Sequence, residues 1–412
     1  MSTPFDIQQV AVIGAGTMGR GIVVSLASAG FPVLWLESNA PTLDAGLTMI
    51  EQTWAQQVGK QRITQEEADA HLARVRPVQS YADLAEADLV IEAVYESLEL
   101  KQEIFRALDS HLKPQAILAS NTSALDIDAI AAVTKRAQQV LGLHFFSPAH
   151  IMKLLEIVRG NATSRDVLDA ALLLAQRAGK VAVVAGNCPG FIGNRMLRSY
   201  VAEARKLLLE GAMPQQVDDA LQQFGFAMGP FRMYDVVGID LEWRARQLAG
   251  QGMDNPLVRI DNALCDLGRL GQKTGQGYYR YAAGSRVAEH DPLVDNLVLE
   301  VSQGLGYRRR EIDAQEILQR CLLALVNEGA KILEEGIAAS SHDIDQVWLN
   351  GYGFPAQTGG PMHWADEQGV SQMVAGLEHL QGMFGEHWRP AGLLQRLKDS
   401  GKRFADVVEG AV

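Results

Sequence analysis

The stretch Val10–Glu37, VAVIGAGTMGRGIVVSLASAGFPVLWLE, limits what this chain can fold into more than any other. Val10, Ala11, Val12 and Ile13 form a short unbroken apolar run, the pattern of a parallel strand buried on both faces. Gly14, Gly16 and Gly19 follow as G-x-G-x-x-G. In such a turn the first glycine permits the tight bend, the second lets a pyrophosphate approach the backbone, and the third lets the helix pack close to the strand. A helix starting near Thr17 points its unsatisfied N–H groups and positive dipole end at that pyrophosphate. Three glycines alone often serve turn geometry only. Here an apolar helix with Ile22, Val23, Leu26 and Ala27 follows, and Pro32–Leu36 reads as a second strand ending in Glu37, eighteen residues after Gly19. A carboxylate at that point accepts hydrogen bonds from both ribose hydroxyls and repels a 2′-phosphate, which favours NAD over NADP.

Apolar runs at 74–78, 88–93, 116–120, 140–146, 154–158 and 180–185 predict further strands, with helices over 40–72, 98–111 and 164–178. The fold class that follows is α/β, a doubly wound Rossmann-type sheet over residues 1–187. Ligands of such sheets lie beyond the carboxyl ends of the strands, so Asn121, Thr122 and Ser123 are better placed for chemistry than for packing.

After Pro189 strands give way to long helical periodicity, and a repeat emerges. RMLRSYVAEARKLLLEG (Arg195–Gly211) lines up with RCLLALVNEGAKILEEG (Arg320–Gly336) at a constant offset of 125 residues. Gly229, Pro230, Asp235 and Gly238 then match Gly360, Pro361, Asp366 and Gly369 at an offset of 131. Two tandem all-α modules are expected, over 188–284 and 312–412, with a polar connection over 285–311 that carries Pro292. Because Gly229, Pro230 and Asp235 recur in both copies, a structural turn is the better reading for them. Tyr278, Tyr279 and Tyr281 lack surrounding basic residues and read as packing rather than base stacking.

A length of 412 residues with 47% hydrophobic content suffices for several packed cores. No apolar run approaches membrane-spanning length, and Met1–Gln9 has neither the basic start nor the apolar segment of a signal peptide, so a cytoplasmic location without membrane contact is expected. A net charge of −12 argues against nucleic acid as partner, since phosphate neutralisation needs clustered cations. The one dense basic run, Arg308, Arg309 and Arg310, reads as a solvated linker. Cys188, Cys265 and Cys321 are far apart, suggest neither disulfides nor a metal site, and read as buried small hydrophobes.

Two polar residues interrupt apolar strands: His144 in LGLHFF and Glu156 in KLLEIV. A lone histidine in a strand is usually a satisfied core residue. A carboxylate in a neighbouring apolar strand is costly to bury unless paired. Paired with His144, Glu156 fixes the imidazole tautomer and raises its basicity, as a general base requires. Ser123 and Asn194 could both reach the same cleft, although singly Ser123 reads as a turn residue and Asn194 as a helix-start residue.

Taken together, SNTSALDIDAIA, GLHFFSPAHIMKLLEIV, GNCPGFIGNRML, GFAMGPFRMYDVVGID and GRLGQKTGQGYYRY resemble the 3-hydroxyacyl-CoA dehydrogenase family, over essentially the whole chain. HFFSPAH, GNRM, GQKTGQGYY and the duplicated helical region look most like the dehydrogenase half of peroxisomal and bacterial multifunctional fatty-acid oxidation enzymes. The hydratase/isomerase half of such enzymes would precede Met1. The resemblance implies His144 as catalytic base, Glu156 as its partner, and Ser123 and Asn194 as hydrogen-bond donors to the reacting end of an acyl-CoA substrate. It implies NAD contacts from Gly14, Ala15, Gly16, Thr17, Met18 and Gly19, and from Glu37, where the family usually has Asp. Val94, Tyr95, Glu96 and Lys101 fall where the family meets the cofactor, as do Ser123, Ser147 and Lys273. Ser147 departs from the commoner Asn, a change that implies altered contacts near the nicotinamide. Lys60 matches a cation serving the CoA phosphates. The implied reaction is NAD-dependent oxidation of an (S)-3-hydroxyacyl-CoA to a 3-ketoacyl-CoA. Other readings are a dinucleotide-binding protein without turnover and a dehydrogenase of a free hydroxy acid. Single-module members pair through their helical domain, so a second copy in one chain implies a monomer or a weakly associating species.

Overall fold

The computed structural model describes residues 5–407. Met1–Pro4, which open the segment read above as lacking a leader, and the last five residues of the second expected helical module lie outside the described residues. The chain divides into two compact units. One comprises the residues up to Asn194 together with Ile332–Tyr352, and the other comprises Arg195–Lys331 and Gly353–Asp406.

The first unit is built on an eight-stranded sheet. Its strands are β1 (Val10–Ile13), β2 (Val33–Leu36), β3 (Val75–Val78), β4 (Leu89–Glu92), β5 (Ile117–Ser120), β6 (Val140–Phe145), β7 (Leu154–Arg159) and β8 (Val181–Gly186), in the order β3-β2-β1-β4-β5-β6-β7-β8. Every pairing is parallel except β6 with β7. β1, β2, β4 and β5 are buried along their whole length, as strands covered by helices on both faces must be. This is the doubly wound α/β sheet expected from the apolar runs. The antiparallel β6–β7 pair sets His144 directly opposite Glu156. β8 is extended at its edge by an isolated bridge from Ala185 to Ala338, so a segment from the second half of the chain joins the sheet unit.

The helical stretch expected over 40–72 is two helices, Ala40–Gly59 and Gln65–Ala73, parted within its polar segment. Gln61 takes a positive φ of 56°, and Thr64 opens the second helix with a capping box closed by Glu67. The T-x-x-E signal is present in the sequence and outweighs continued helical propensity.

The second unit is helical, and the two helices that carry the repeated motif exchange ion pairs. Arg195 on the helix Gly193–Glu210 donates to Glu328 on the helix Ala314–Glu334 at 2.7 Å. Arg320, at the matching position of the second helix, donates to Glu203 of the first at 2.6 Å. Asp235 accepts from the backbone N–H groups of Tyr278 and Tyr279 and from the Tyr281 hydroxyl, while Asp366 accepts from the N–H groups of Phe404 and Ala405. The recurring Gly-Pro…Asp signal therefore secures a turn in each copy, and the tyrosines pack as read. Two expectations are corrected. Arg309 is not a solvated linker residue: it donates to the carbonyls of Leu208, Gly211 and Ala212 and so caps the end of the helix Gly193–Glu210, whose last C=O groups have no partner within the helix. Cys188 is half-exposed, its thiol directed to the Phe191 carbonyl at 3.4 Å, whereas Cys265 and Cys321 are buried.

No helix among the described residues is long and apolar enough to cross a membrane.

Candidate active site

The glycine turn shows two glycines required by the protein itself and one that is not. Gly14 has φ +104° and a Cβ there would lie 2.7 Å from the Ala93 carbonyl oxygen. A Cβ on Gly19 would lie 2.0 Å from the carbonyl oxygen of Gly14. Both keep the turn and helix tight. Around Gly16, by contrast, a Cβ would meet nothing within 4 Å. Gly16 is the N-cap of the helix Thr17–Ser28, and no side chain caps that helix. Open space in front of uncapped N–H groups is the shape a pyrophosphate requires, so the residues fit a dinucleotide. Ala15, Thr17 and Met18 complete the turn. Glu37, half-buried at the end of β2, is already oriented: one oxygen accepts from the Ala15 N–H at 3.0 Å and the other from the Asn39 N–H at 3.0 Å.

A second cluster lies beyond β4 and β5. Lys101 is 1% exposed and its ammonium is held by Glu92 at 2.8 Å and by Glu96 at 3.3 Å. Glu92 is wholly buried and also accepts from Ser120 Oγ and from the Val94 N–H. Four donor contacts on one carboxylate offset the cost of burying it. Glu96 reaches the other way, accepting from Thr122 Oγ1 at 2.5 Å and from the Ser123 N–H at 2.9 Å. Ser123 is thus tied through Glu96 and Lys101 to the interior of the sheet. Tyr95 stands 62% exposed beside this network.

His144 and Glu156 form the third element. His144 Nδ1 lies 2.7 Å from Glu156 Oε2, with the imidazole 6% exposed and the carboxylate fully buried. A carboxylate only accepts, so Nδ1 carries the proton and Nε2 is the basic nitrogen. The other oxygen of Glu156 accepts from the N–H groups of Ile192 and Gly193 at 3.2 and 3.0 Å. Those amides are aimed by an unusual turn in which Gly190 and the buried Phe191 both have positive φ, 86° and 53°. A left-handed Phe is strained, which places the strain next to the carboxylate it serves. The His144 ring packs against Phe146 with centroids 4.4 Å apart.

Asn194 follows Gly193 directly. Its Nδ2 donates to the Ser123 carbonyl at 3.4 Å and its Oδ1 accepts from the Tyr352 hydroxyl at 2.8 Å. The structure therefore brings Ser123, Asn194, His144, Glu156 and Glu96 together at the carboxyl ends of the strands. Ser147 is exposed just past β6, in a loop held by Lys180, whose ammonium donates to the Ala149 and Met152 carbonyls. Burial pushes the Lys180 ammonium down to about 8. Lys60 is exposed at the end of the helix Ala40–Gly59. Lys273 belongs to the helical unit, where its ammonium pairs with the buried Asp240. Glu92 was missed from sequence, although it interrupts the apolar run DLVIEA just as Glu156 interrupts its own strand. Tyr352 left no local signal. Among the described residues no three His, Cys, Asp or Glu are grouped to hold a metal.

Two family models match the chain. One, the 3-hydroxyacyl-CoA dehydrogenase NAD binding domain, covers residues 9–188, and the other, the C-terminal domain of the same family, matches twice, at 190–281 and 317–409. The chain belongs to the 3-hydroxyacyl-CoA dehydrogenase family. Within the family it is 45% identical over 412 residues to a peroxisomal bifunctional enzyme of Danio rerio, covering 96% of this chain and 57% of that one. It is 35% identical to a fatty acid oxidation complex subunit alpha of Acinetobacter baylyi, covering 97% of this chain and 56% of the relative. The chain thus spans little more than half the length of these two relatives. Among solved structures, the 3-hydroxybutyryl-CoA dehydrogenase of Escherichia coli K12 superposes with a TM-score of 0.82 at 30% identity, covering 96% of this chain and 99% of that one. Residues 9–188 are the family's NAD-binding domain, and the open glycine turn beside Glu37 suits that cofactor.

Proposed function

We propose that the protein oxidises (S)-3-hydroxyacyl-CoA esters to 3-ketoacyl-CoA esters with NAD. The observation that carries this reading is the buried His144–Glu156 pair, with its basic nitrogen unused by Glu156, beside Ser123 and Asn194. NAD, held by Gly14–Gly19 and Glu37 with Val94, Tyr95, Glu96, Lys101 and Ser147 as further contacts, supplies the hydride acceptor. His144 Nε2 takes the proton of the C3 hydroxyl as the C3 hydrogen departs with its electron pair. Glu156, fixed by two backbone N–H groups, stabilises the imidazolium so formed. Ser123 and Asn194 hold the oxygens at the reacting end, and Lys60 serves the CoA phosphates.

Replacing His144 by Gln tests this directly. Turnover of a 3-hydroxyacyl-CoA, followed by NADH absorbance, should fall at least roughly 100-fold, with NAD affinity nearly intact. Unchanged turnover removes the assignment. Glu156→Gln acts through the same histidine, so the double variant should fall far short of additivity. A panel of hydroxyacyl-CoA esters beside the matching free acids separates this reading from a free hydroxy-acid dehydrogenase.

The same reading includes the division of residues 188–284 and 312–412 into two helical copies joined by 285–311, and a monomer or weak dimer in solution. The exchanged pairs Arg195–Glu328 and Arg320–Glu203 support it, because the second copy stands to the first as a partner subunit would. A tight dimer by light scattering at micromolar concentration would count against it. A cytoplasmic location is part of the same reading, whereas the Danio rerio relative is named peroxisomal. Fractionation of the source cell decides between them.

A further inference from the structure

The hydroxyl of Tyr352 lies 2.8 Å from Asn194 Oδ1, and Asn194 Nδ2 faces the Ser123 carbonyl at 3.4 Å. A carbonyl oxygen can only accept, so the NH2 end of the amide must face Ser123. The oxygen end then faces Tyr352, whose hydroxyl is the donor. That arrangement leaves the second N–H of Nδ2 available to a bound oxygen. Without Tyr352 the amide keeps only one long hydrogen bond, and rotation about its terminal torsion, which is broad, becomes easy.

The tyrosine is itself tightly held. Its ring stacks on Trp348 with centroids 4.8 Å apart and meets Phe146 edge-on at 5.5 Å. Gly193 accommodates it: a Cβ there would lie 2.4 Å from the Tyr352 ring. Phe146 in turn packs on His144. A second, independent observation comes from the repeat. Tyr352-Gly353-Phe354 of the second copy corresponds to Phe224-Gly225-Phe226 of the first, and Asn194 corresponds to Gln319. The copy that carries the asparagine is served by a tyrosine, while the copy that carries glutamine in its place corresponds to a phenylalanine without a hydroxyl.

We infer that Tyr352, contributed by the second helical copy, is a positioning residue for the dehydrogenase reaction: its hydroxyl fixes the Asn194 amide so that an N–H points at the substrate oxygen next to His144. The inference rests on the dehydrogenase reading above. It gives the second copy a direct part in the site.

Tyr352→Phe deletes the hydroxyl and keeps the stacked ring. The expected result is a fall in kcat of roughly tenfold, in line with the loss of one orienting hydrogen bond, with KM for NAD and the thermal midpoint unchanged. In an Asn194→Ala background the same change should have no further effect, which a merely structural hydroxyl would not produce. An active parent whose Tyr352→Phe variant turns over normally overturns the inference, as does full additivity with Asn194→Ala. Should Tyr352→Phe melt early, Tyr352→His, which restores a donor near the same place, should recover turnover relative to Tyr352→Leu, and equal activity of those two overturns the inference as well. A parent inert with every 3-hydroxyacyl-CoA overturns the dehydrogenase reading, and this inference with it.

Discussion

The two stretches that match the family's C-terminal domain differ at positions of the proposed site and agree where the fold is held. Arg195 pairs with Glu328 and Arg320 with Glu203, the same two positions exchanged between copies, as in an isologous interface. Asp235 and Asp366 each gather backbone N–H groups into a turn. Against that shared frame stand Asn194 with Gln319, and Tyr352 with Phe224. In a true homodimer every residue must serve both sites. A duplication inside one chain lifts that requirement, so one copy can keep the asparagine while the other supplies the hydroxyl that orients it.

The ion pairs are also unequal, and removing them should give the largest effect. Arg320 has no exposed surface and donates to Glu203, Glu210 and Glu316. Burial already raises the Glu203 carboxyl above its usual range, against the pull of Arg320. Glu210 and Glu316 retain Arg310, but Arg320→Met leaves the buried Glu203 without its ion-pair partner and should cost about 3–5 kcal/mol in denaturant unfolding. Arg195→Met should cost about 2 kcal/mol, because Glu328 retains Lys331 at 3.1 Å. Equal losses would mean that the exchange is symmetric in energy as well as in position.

Next in size is the contrast between Asn194 and Gln319. Asn194→Ala should lower kcat by roughly 100- to 1,000-fold, as the loss of a preorganised donor to a reacting oxygen does. Gln319→Ala should leave turnover within about twofold of the parent, the range of surface changes away from a site. If both variants fail alike, the division into a working and a supporting copy is wrong.

Much of this was legible in the sequence because it is local or periodic. Eight apolar runs and a glycine turn specify the sheet, since a strand buried on both faces admits few residue types. His144 and Glu156 announced themselves as polar breaks in such runs. Glu92 sent the same signal in DLVIEA, but its meaning depends on Lys101, one helix later, reaching back into the sheet. Arg309 looked like part of a solvated basic run because the carbonyls it caps are about a hundred residues away in sequence. Tyr352 lies 158 residues from Asn194, and nothing in its neighbourhood sets it apart from other aromatic residues near a turn. What escapes a single sequence is the polar contact made across a long separation, where residue type carries no periodic mark.

A third comparison sets the two turn-forming carboxylates side by side. Asp235 is 1% exposed and serves three donors, whereas Asp366 is half-buried and serves two. Unsatisfied buried donors cost about 1–3 kcal/mol each time a partner is removed. Asp235→Ala should therefore fall at the upper end of that range and Asp366→Ala at the lower end, measured by the same unfolding curves.

The smallest effect is the most diagnostic of burial. Desolvation pushes the Asp235 carboxyl up to about 6, against the lowering effect of its hydrogen bonds and of Arg269, and it raises Asp366 as well. A carboxyl whose folded value exceeds its unfolded value of about 3.9 binds protons more tightly when folded. Its contribution to stability is therefore full below about pH 4 and is lost as pH rises through 6. Asp235→Asn removes that titration. It also lowers stability by a pH-independent amount, because an amide cannot accept from all three donors. The slope is the informative quantity: between pH 4 and 6 the thermal midpoint of Asp235→Asn should fall less steeply, or rise more steeply, than that of the parent. Asp366→Asn should change the slope in the same direction and by less, since solvent reaches that side chain. An Asp235→Asn profile parallel to the parent would show that the first copy's turn carboxylate is ionised throughout this range, and that its hydrogen bonds outweigh its burial.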